Sequence, residues 1–207
     1  MNKIKEYQEI INSKIKQVRI QGKPDELYDP INYILSLKSK RVRPTLSILS
    51  YSLFKEDFNK ITEPSIALEF FHNFTLIHDD IMDNADIRRG KDTIHKKWNK
   101  NIGILSGDLL MIFAYKMLEN VDETIFKNTF KRYNNIAIKV CEGQQYDMNF
   151  EIKNEISEDD YLKMITLKTA VLIGFSLELG DLIANQEKQI TDQLYLAGEK
   201  IGISFQL

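Results

Sequence analysis

Apolar residues recur every three to four positions along nearly the whole chain, a spacing that places them on one face of an α-helix. In the first half, the segment Gly22-Lys23-Pro24 separates a first helix from a second one that begins near Asp29-Pro30. Pro44 suits the first turn of a third helix, where a missing N–H costs little. A fourth helix is predicted from Thr62 to Asp83.

The second half continues with the same periodicity after a polar loop between Gly90 and Asp92. Helices are predicted at about residues 107–118, 122–150, 157–184 and from 191 onward. Ser157, with Asp160 three positions later, is typical of a helix N-terminus and begins the third of these. Because the sequence shows no strand alternation, no repeat and no linker, we expect residues 1–207 to form one all-α domain, a bundle of long helices.

The composition narrows the class of protein. The chain has 207 residues, of which 43% are hydrophobic, and this is enough for one domain with a sizeable core. A net charge of -2 argues against nucleic acid as the main partner. The single cysteine, Cys141, excludes an intrachain disulfide and suits a reducing compartment. The longest apolar stretch, Ala170–Leu177, is far shorter than the about 20 residues that cross a bilayer. We therefore expect a cytoplasmic protein without a transmembrane segment.

Three carboxylates lie at the end of the predicted fourth helix, in the segment His78-Asp79-Asp80-Ile81-Met82-Asp83. Asp79 and Asp83 are one turn apart and face the same way. Oxygen ligands favour Mg²⁺, which binds through one or two carboxylates plus the phosphates of a substrate. The simpler interpretation is a solvated acidic helix end, because so short a motif is common by chance.

Two basic segments and a histidine indicate a place for phosphate. Arg88-Arg89-Gly90 follows the acids, and paired guanidiniums suit an oxyanion shared with a metal, although they would also simply neutralise the aspartates. Lys40-Arg41-Val42-Arg43-Pro44 leads into a helix N-terminus, where anions bind, although a solvated basic turn has the same composition. His72 lies two helical turns before Asp79 and would donate a hydrogen bond to a phosphate; alone, it is an ordinary core or surface residue.

Together these segments resemble the trans-prenyl diphosphate synthase (polyprenyl synthetase) family, with order and spacing kept from about Ser39 to the last residue. The matching segments are Ser39-Lys40-Arg41-Val42-Arg43-Pro44, Leu76 to Asp83 with Arg88-Arg89-Gly90, Gly143-Gln144-Gln145-Tyr146-Asp147, Lys168-Thr169, and Gly202-Ile203-Ser204-Phe205-Gln206. The resemblance implies an isoprenoid synthase fold, with mostly antiparallel helices around a central cavity. It also implies Mg²⁺ as cofactor and a homodimer.

The resemblance further implies a role for each matching residue. Isopentenyl diphosphate would be held by Lys40, Arg43, His72 and Arg89, with Arg41 in the same substrate-binding set. Asp79 and Asp83 would bind Mg²⁺, and the catalytic set would be Asp79, Asp80, Asp83 and Lys168. The allylic diphosphate would contact Arg88, Lys168, Thr169 and Gln206. Gln144 and Asp147 would support the metal shell through water.

The implied reaction is the head-to-tail condensation of isopentenyl diphosphate with an allylic diphosphate (dimethylallyl, geranyl or farnesyl), with release of pyrophosphate. Phe71 and Phe74 precede Asp79 by eight and five residues. We expect both rings to lie below the metal site on the same helix face, where they would stop the growing chain at C15 or C20.

Two other functions remain open at this point. A class I terpene cyclase shares the acidic motif but takes no isopentenyl diphosphate, so it would not need Lys40, Arg43 and His72. A non-catalytic subunit of a heteromeric synthase is the other candidate, and the intact acidic and arginine motifs argue against it. The chain also departs from the family in two ways. Ser39 stands in place of the usual glycine, and the chain ends before the second acidic motif, so we expect a truncated protein that is inactive or impaired by itself.

Overall fold

Helices account for 76% of the chain in the computed structural model, which describes residues 3–18 and 20–207, and the prediction of an all-α fold is confirmed. The α-helices are α1 Lys3–Gln17, α2 Asp25–Ser36, α3 Val42–Tyr51, α4 Asn59–Met82, α5 Ile94–Lys97, α6 Lys100–Lys116, α7 Glu123–Phe150, α8 Glu158–Ile165, α9 Val171–Ile183 and α10 Lys188–Gln206. A π-helical turn, Thr166–Ala170, joins α8 to α9. Two short strands, β1 Ile87–Arg88 and β2 Lys91–Asp92, form an antiparallel hairpin.

The chain divides into two compact units. The first unit comprises Met1–Val42 and Thr62–Glu119, and the second comprises Arg43–Ile61 and Asn120–Leu207. Nowhere in residues 3–18 and 20–207 is there a helix long and apolar enough to cross a membrane.

The first unit is built from amphipathic helices whose apolar faces are buried. In α1, Tyr7, Ile11 and Ile15 recur every fourth position and form its buried face. The hydroxyl of Ser106 on α6 donates to the backbone oxygen of Leu27 on α2 at 3.0 Å, which joins these two helices.

The helix predicted from residue 107 begins earlier in the structure, at Lys100. The side chain of Asn99 accepts a hydrogen bond from the backbone N–H of Ile102 at 2.9 Å, and this cap sets the start of α6. The fourth helix also begins earlier than predicted, at Asn59 rather than at Thr62, and the side chain of Asp57 accepts from the backbone N–H of Asn59 at 3.0 Å.

The second unit confirms two helix starts that the sequence predicts. Asp122 accepts from the backbone N–H of Thr124 at 3.0 Å and caps α7. Ser157 accepts from the backbone N–H of Asp160 at 3.1 Å and caps α8. Every residue of α9 is buried, so this helix forms the centre of its unit.

Small residues bring α10 against α9. A Cβ added to Gly198 would lie 2.8 Å from the Cα of Gly174, so a larger residue would force the two helix backbones apart.

The uninterrupted helix predicted over residues 157–184 is wrong in one respect, because the π-helical turn interrupts it.

Candidate functional site

The acidic end of α4 lies in the first unit. Asp80 is buried, Asp79 is half-buried, and Asp83 is exposed in the turn that follows Met82. The backbone N–H of Asp83 donates to the backbone oxygen of Asp79 at 2.9 Å, so the helical geometry extends as far as Asp83. The prediction that these two residues lie one turn apart is confirmed.

Arg88 neutralises part of this acidic group. Its Nε and Nη2 donate to Oδ1 of Asp80 at 2.9 and 2.6 Å, and Nη2 lies 3.5 Å from Oδ2 of Asp79. Burial raises the pKa of the Asp80 carboxyl above its ordinary value, and the hydrogen bonds from Arg88 oppose that shift. The buried Oδ2 of Asp80 has no hydrogen-bond partner within the described part of the chain.

The β1–β2 hairpin presents Arg88 and Arg89. Its turn contains Arg89 and Gly90, which both have positive φ, at 53° and 74°. Two central residues with positive φ are typical of a tight two-residue hairpin turn. Gly90 adopts this conformation without strain, whereas Arg89 pays a steric cost that only the surrounding contacts offset. The sequence predicted a loop here and missed the strands.

Arg89 has different surroundings from Arg88. Its Nη1 donates to the side-chain oxygen of Asn73 on α4 at 3.3 Å. Burial lowers the pKa of Arg89 from its ordinary value. The nearby carboxylate of Glu69 opposes this shift, and the cations Arg41 and Arg88 add to it. An arginine nevertheless remains protonated at neutral pH. Arg89 therefore carries a positive charge that no carboxylate contacts directly among the described residues.

Arg41 lies inside the first unit, with 4% of its surface exposed. Its Nη1 donates to Oε1 of Glu69 at 2.6 Å, and its Nη2 donates to the backbone oxygen of Leu35 at 2.6 Å. This geometry does not provide the direct substrate contact expected from the sequence, because the guanidinium is engaged in a buried ion pair. Arg41 is better described as a support for the site.

Lys40 and His72 are the other basic residues expected in this unit. Lys40 is exposed just before α3. His72 is half-buried on α4, where it directly precedes Asn73. Their predicted contacts with a diphosphate stay predictions.

The rings of Phe71 and Phe74 are buried on α4, with centroids 5.6 Å apart. The ring of Phe74 also lies 4.8 Å from that of His78 in an edge-to-face arrangement. One part of the expectation is wrong. Residues five apart on an α-helix are separated by about 140° around the axis, so Phe74 does not share the face of Asp79.

In the second unit, Lys168 lies in the π-helical turn and donates from Nζ to Oδ2 of Asp147 on α7 at 2.5 Å. π-Helical turns are rare and are frequent at functional sites. A Cβ added to Gly143 would lie 2.1 Å from the backbone nitrogen of Lys168. The absence of a side chain at Gly143 therefore lets α7 approach this turn closely enough for the ion pair to form.

Four further predicted residues belong to the second unit. Arg43 lies in the first turn of α3 and is half-buried. Gln144 and Thr169 are half-buried, and Gln206 is exposed at the end of α10. Their predicted roles stay predictions.

The side chains suit a divalent cation only in part. The described residues contain no group of three acidic, histidine or cysteine side chains that could hold a metal by themselves. Mg²⁺ characteristically uses one or two carboxylates and completes its shell with water and substrate phosphates. Asp79 and Asp83, one turn apart at the end of α4, fit that pattern.

Sequence reasoning missed Glu69 and Asn73, which contact Arg41 and Arg89. A signal for them was available. Both are polar residues in a mainly apolar stretch of α4, and with Asp80 they follow a helical spacing that places all three on one side.

The fold and the sequence are both similar to those of known proteins. A crystal structure of a geranylgeranyl pyrophosphate synthase superposes with a TM-score of 0.96 at 43% identity, covering 100% of this chain and 63% of that one. A geranylgeranyl pyrophosphate synthase of Geoglobus acetivorans is 35% identical over 207 residues, or 99% of this chain and 65% of that protein. Component 2 of the heptaprenyl diphosphate synthase of Bacillus subtilis is 31% identical over 175 residues, or 84% of this chain and 49% of that protein.

The fold is therefore the all-α fold of the isoprenoid synthases. The polyprenyl synthetase family model matches residues 24–207, and the chain belongs to that family. Members of this family generally use a divalent metal ion. The chain spans slightly less than two thirds of the length of the Geoglobus protein.

Proposed function

We propose that the protein elongates prenyl diphosphates, condensing isopentenyl diphosphate with an allylic diphosphate to give a C15 or C20 product and pyrophosphate. The observation that carries this proposal is the acidic end of α4 beside the Arg88-Arg89 hairpin. This arrangement supplies carboxylates for a cation and a guanidinium for a phosphate. The similar geranylgeranyl pyrophosphate synthases support the same reaction class.

In this proposal, Asp79 and Asp83 would hold Mg²⁺, and the bound cation would supply charge stabilisation for the departing diphosphate. Arg88 and Lys168 contact the allylic diphosphate and stabilise the charge that develops as its C–O bond breaks. Arg89, with Lys40, Arg43 and His72, orients isopentenyl diphosphate so that its double bond forms the new C–C bond. The proton that is then lost passes to the released pyrophosphate. The apolar side chains of α4 exclude water from the cationic centre.

Labelled isopentenyl diphosphate and geranyl diphosphate, incubated with the full-length protein, test this proposal. We expect Mg²⁺-dependent formation of an extractable product that EDTA abolishes. Asp79→Asn and Asp83→Asn should each lower kcat by about 100-fold or more, because each removes a metal ligand that acts in the transition state. Asp159→Asn, which changes an exposed acid on α8, is the matched control and should retain activity. No turnover by the unsubstituted protein would contradict the proposal.

The same assay separates the alternatives. A class I terpene cyclase would convert the allylic diphosphate alone and would ignore isopentenyl diphosphate. A subunit of a heteromeric synthase would turn over only after a partner is added. The similarity to component 2 of the Bacillus subtilis heptaprenyl diphosphate synthase is the observation that favours the heteromeric subunit as a second candidate.

We also propose that the protein is a cytoplasmic homodimer. The α6 helix exposes Ile104, Leu105 and Ile112, whose exposed fractions are 42%, 59% and 57%. Exposed apolar side chains spaced along one helix are suited to packing against a second copy. For the location, a single free cysteine is compatible with a reducing cytoplasm. Cell fractionation would test whether the protein is cytoplasmic.

A further inference from the structure

A row of buried polar side chains runs along one side of α4. It consists of Glu69, Asn73 and Asp80, whose spacing places them on the same side of the helix and whose exposed fractions are 1%, 0% and 1%. Each of the three contacts a different arginine: Arg41, Arg89 and Arg88 in turn. Burying polar groups costs free energy unless they are hydrogen-bonded, and these contacts offset that cost.

Asn73 is the central member of this row. Its Nδ2 donates to Oε1 of Glu69 at 2.8 Å and to the backbone oxygen of Glu69 at 2.7 Å. Its Oδ1 accepts from Nη1 of Arg89 at 3.3 Å. Carboxylate and carbonyl oxygens only accept, and a guanidinium only donates, so this orientation of the amide is the one that satisfies all three contacts.

Glu69 is held in turn by Arg41, through the 2.6 Å contact between Nη1 and Oε1. The contacts are therefore continuous from Arg41 through Glu69 and Asn73 to Arg89. Because Glu69 and Asn73 are both buried on one helix, neither side chain can move without breaking a contact in this series.

The three arginines differ in the charge of the group that each one contacts. Arg41 and Arg88 contact carboxylates, whereas the one side-chain hydrogen bond of Arg89 within the described residues is to the neutral amide of Asn73. The guanidinium of Arg89 is thus held in place without a direct contact to a carboxylate among the described residues. An incoming diphosphate binds most strongly to a donor that is both charged and already oriented.

We infer that Asn73 is a positioning residue for the binding of isopentenyl diphosphate at Arg89, supported from behind by Glu69 and Arg41. The inference rests on the proposed function, in which Arg89 contacts that substrate. Without Asn73, the long arginine side chain samples several rotamers and must be ordered when substrate binds. The expected effect is therefore on the KM of isopentenyl diphosphate, with a smaller effect on kcat.

Asn73→Leu in the full-length protein tests this inference, because leucine has a similar size and makes no hydrogen bonds. We expect the KM of isopentenyl diphosphate to rise about tenfold, and that of the allylic substrate to change by less than about twofold. Calorimetric binding of isopentenyl diphosphate should weaken by the same factor. Ser65→Ala, at a buried polar residue of α4 whose hydroxyl bonds to the backbone of Thr62, is the matched control and should leave both KM values unchanged.

A second set of variants separates positioning from general structural damage. If Asn73 acts through Arg89, then Asn73→Leu should have no further effect on isopentenyl diphosphate binding in an Arg89→Ala background. Asn73→Ser, whose shorter side chain does not reach Arg89, should also raise the KM of isopentenyl diphosphate. This variant replaces Asn73→Leu in the experiment if the leucine variant does not fold.

An unchanged KM of isopentenyl diphosphate in a folded Asn73→Leu or Asn73→Ser variant would overturn the inference. The inference would also fail if Asn73→Leu weakened binding of this substrate equally with and without Arg89→Ala. A wild-type protein that shows no turnover contradicts the proposed function instead. In that case, the calorimetric comparison still decides whether Asn73 affects binding of isopentenyl diphosphate through Arg89.

Discussion

Arg88 and Arg89 are adjacent in the chain but have opposite electrostatic surroundings. Arg88 donates to Asp80 at 2.6 Å, whereas Arg89 donates to the uncharged amide of Asn73 at 3.3 Å. The first therefore balances a buried carboxylate, and the second has no carboxylate in direct contact among the described residues. The simple expectation that both arginines neutralise the aspartates describes only Arg88.

The ring of Phe74 gives a residue-scale prediction about product length. It packs against Phe71 and His78 on α4. In the full-length protein, Phe74→Ala should lengthen the product of the proposed reaction by at least one C5 unit, because it removes a ring from the apolar stretch of α4 that precedes the acidic end. It should also lower stability by about 3–5 kcal/mol, as is usual for a buried Phe→Ala change. Product chromatography and thermal unfolding measure the two effects.

Phe70→Ala provides the control for that experiment. Phe70 is buried on the same helix but one turn further from Asp79 than Phe74, so the ring of Phe74 stays in place when that of Phe70 is removed. It should reduce stability to a similar extent without changing the product. Equal product profiles in the two variants would contradict the role of Phe74.

Asp181 gives a prediction about pH. It is buried on α9, and burial raises the pKa of its carboxyl above the ordinary value, although a hydrogen bond from Thr191 opposes the shift. Above about pH 4, the unfolded chain therefore releases this proton more readily than the folded chain. The contribution of Asp181 to stability is consequently present at lower pH and is lost as the pH rises through the raised pKa.

Asp181→Asn removes that contribution. The stability of this variant relative to wild type should increase as the pH is raised from about 4 to 7. Urea unfolding at several pH values measures the difference, with Glu155→Gln, at an exposed position, as the control. Parallel pH profiles for Asp181→Asn and wild type would show that the buried carboxyl does not titrate as argued.

At the scale of elements, the contact between α7 and the π-helical turn depends on Gly143. Intrinsic propensity alone would make Gly143→Ala stabilising by up to about 1 kcal/mol. The added Cβ would instead lie 2.1 Å from the backbone nitrogen of Lys168 and 2.6 Å from its Cα. Backbone atoms cannot rotate away as a side chain can, so the packing effect outweighs the propensity.

We expect Gly143→Ala to lower stability by about 1–3 kcal/mol, the usual cost of overpacking. It should also lower kcat, because Lys168 moves away from Asp147. Urea unfolding and the condensation assay measure both effects. Cys141→Ala, at an exposed position of the same helix, should change stability by less than about 0.5 kcal/mol. A stabilised Gly143→Ala variant would show that the two elements separate easily.

At the scale of the whole molecule, the predicted site residues are divided between the two units. The acidic helix end and the arginine hairpin belong to one, and Lys168, Asp147 and Gln206 belong to the other. Neither unit therefore carries the complete set of residues that the family resemblance implies.

The proposed homodimer is also a property at this scale. The double variant Leu105→Asp/Ile112→Asp should shift the full-length protein from dimer toward monomer, because it places two charges on the exposed apolar face of α6. Size-exclusion chromatography with light scattering would detect the change. Ile152→Asp, at a residue that is 86% exposed, should leave the assembly intact. A wild-type monomer would contradict the proposal directly.

The sequence alone determined the features that depend on neighbouring residues. Helical periodicity predicted the all-α fold, Asp122 and Ser157 gave the starts of α7 and α8, and the spacing of Asp79 and Asp83 predicted one carboxylate pair. These features are local because a cap or a helical turn involves residues within four positions of each other.

Only the tertiary structure decided which charges are paired. Arg41 meets Glu69 across 28 positions in sequence, and Arg89 meets Asn73 across 16. No local pattern distinguishes a buried, neutralised arginine from one whose charge remains available. The π-helical turn was equally hidden, and its close contact with α7 at Gly143 joins segments that are distant in sequence. Periodicity predicts which face of a helix is buried, but the partner that it meets depends on how distant segments pack.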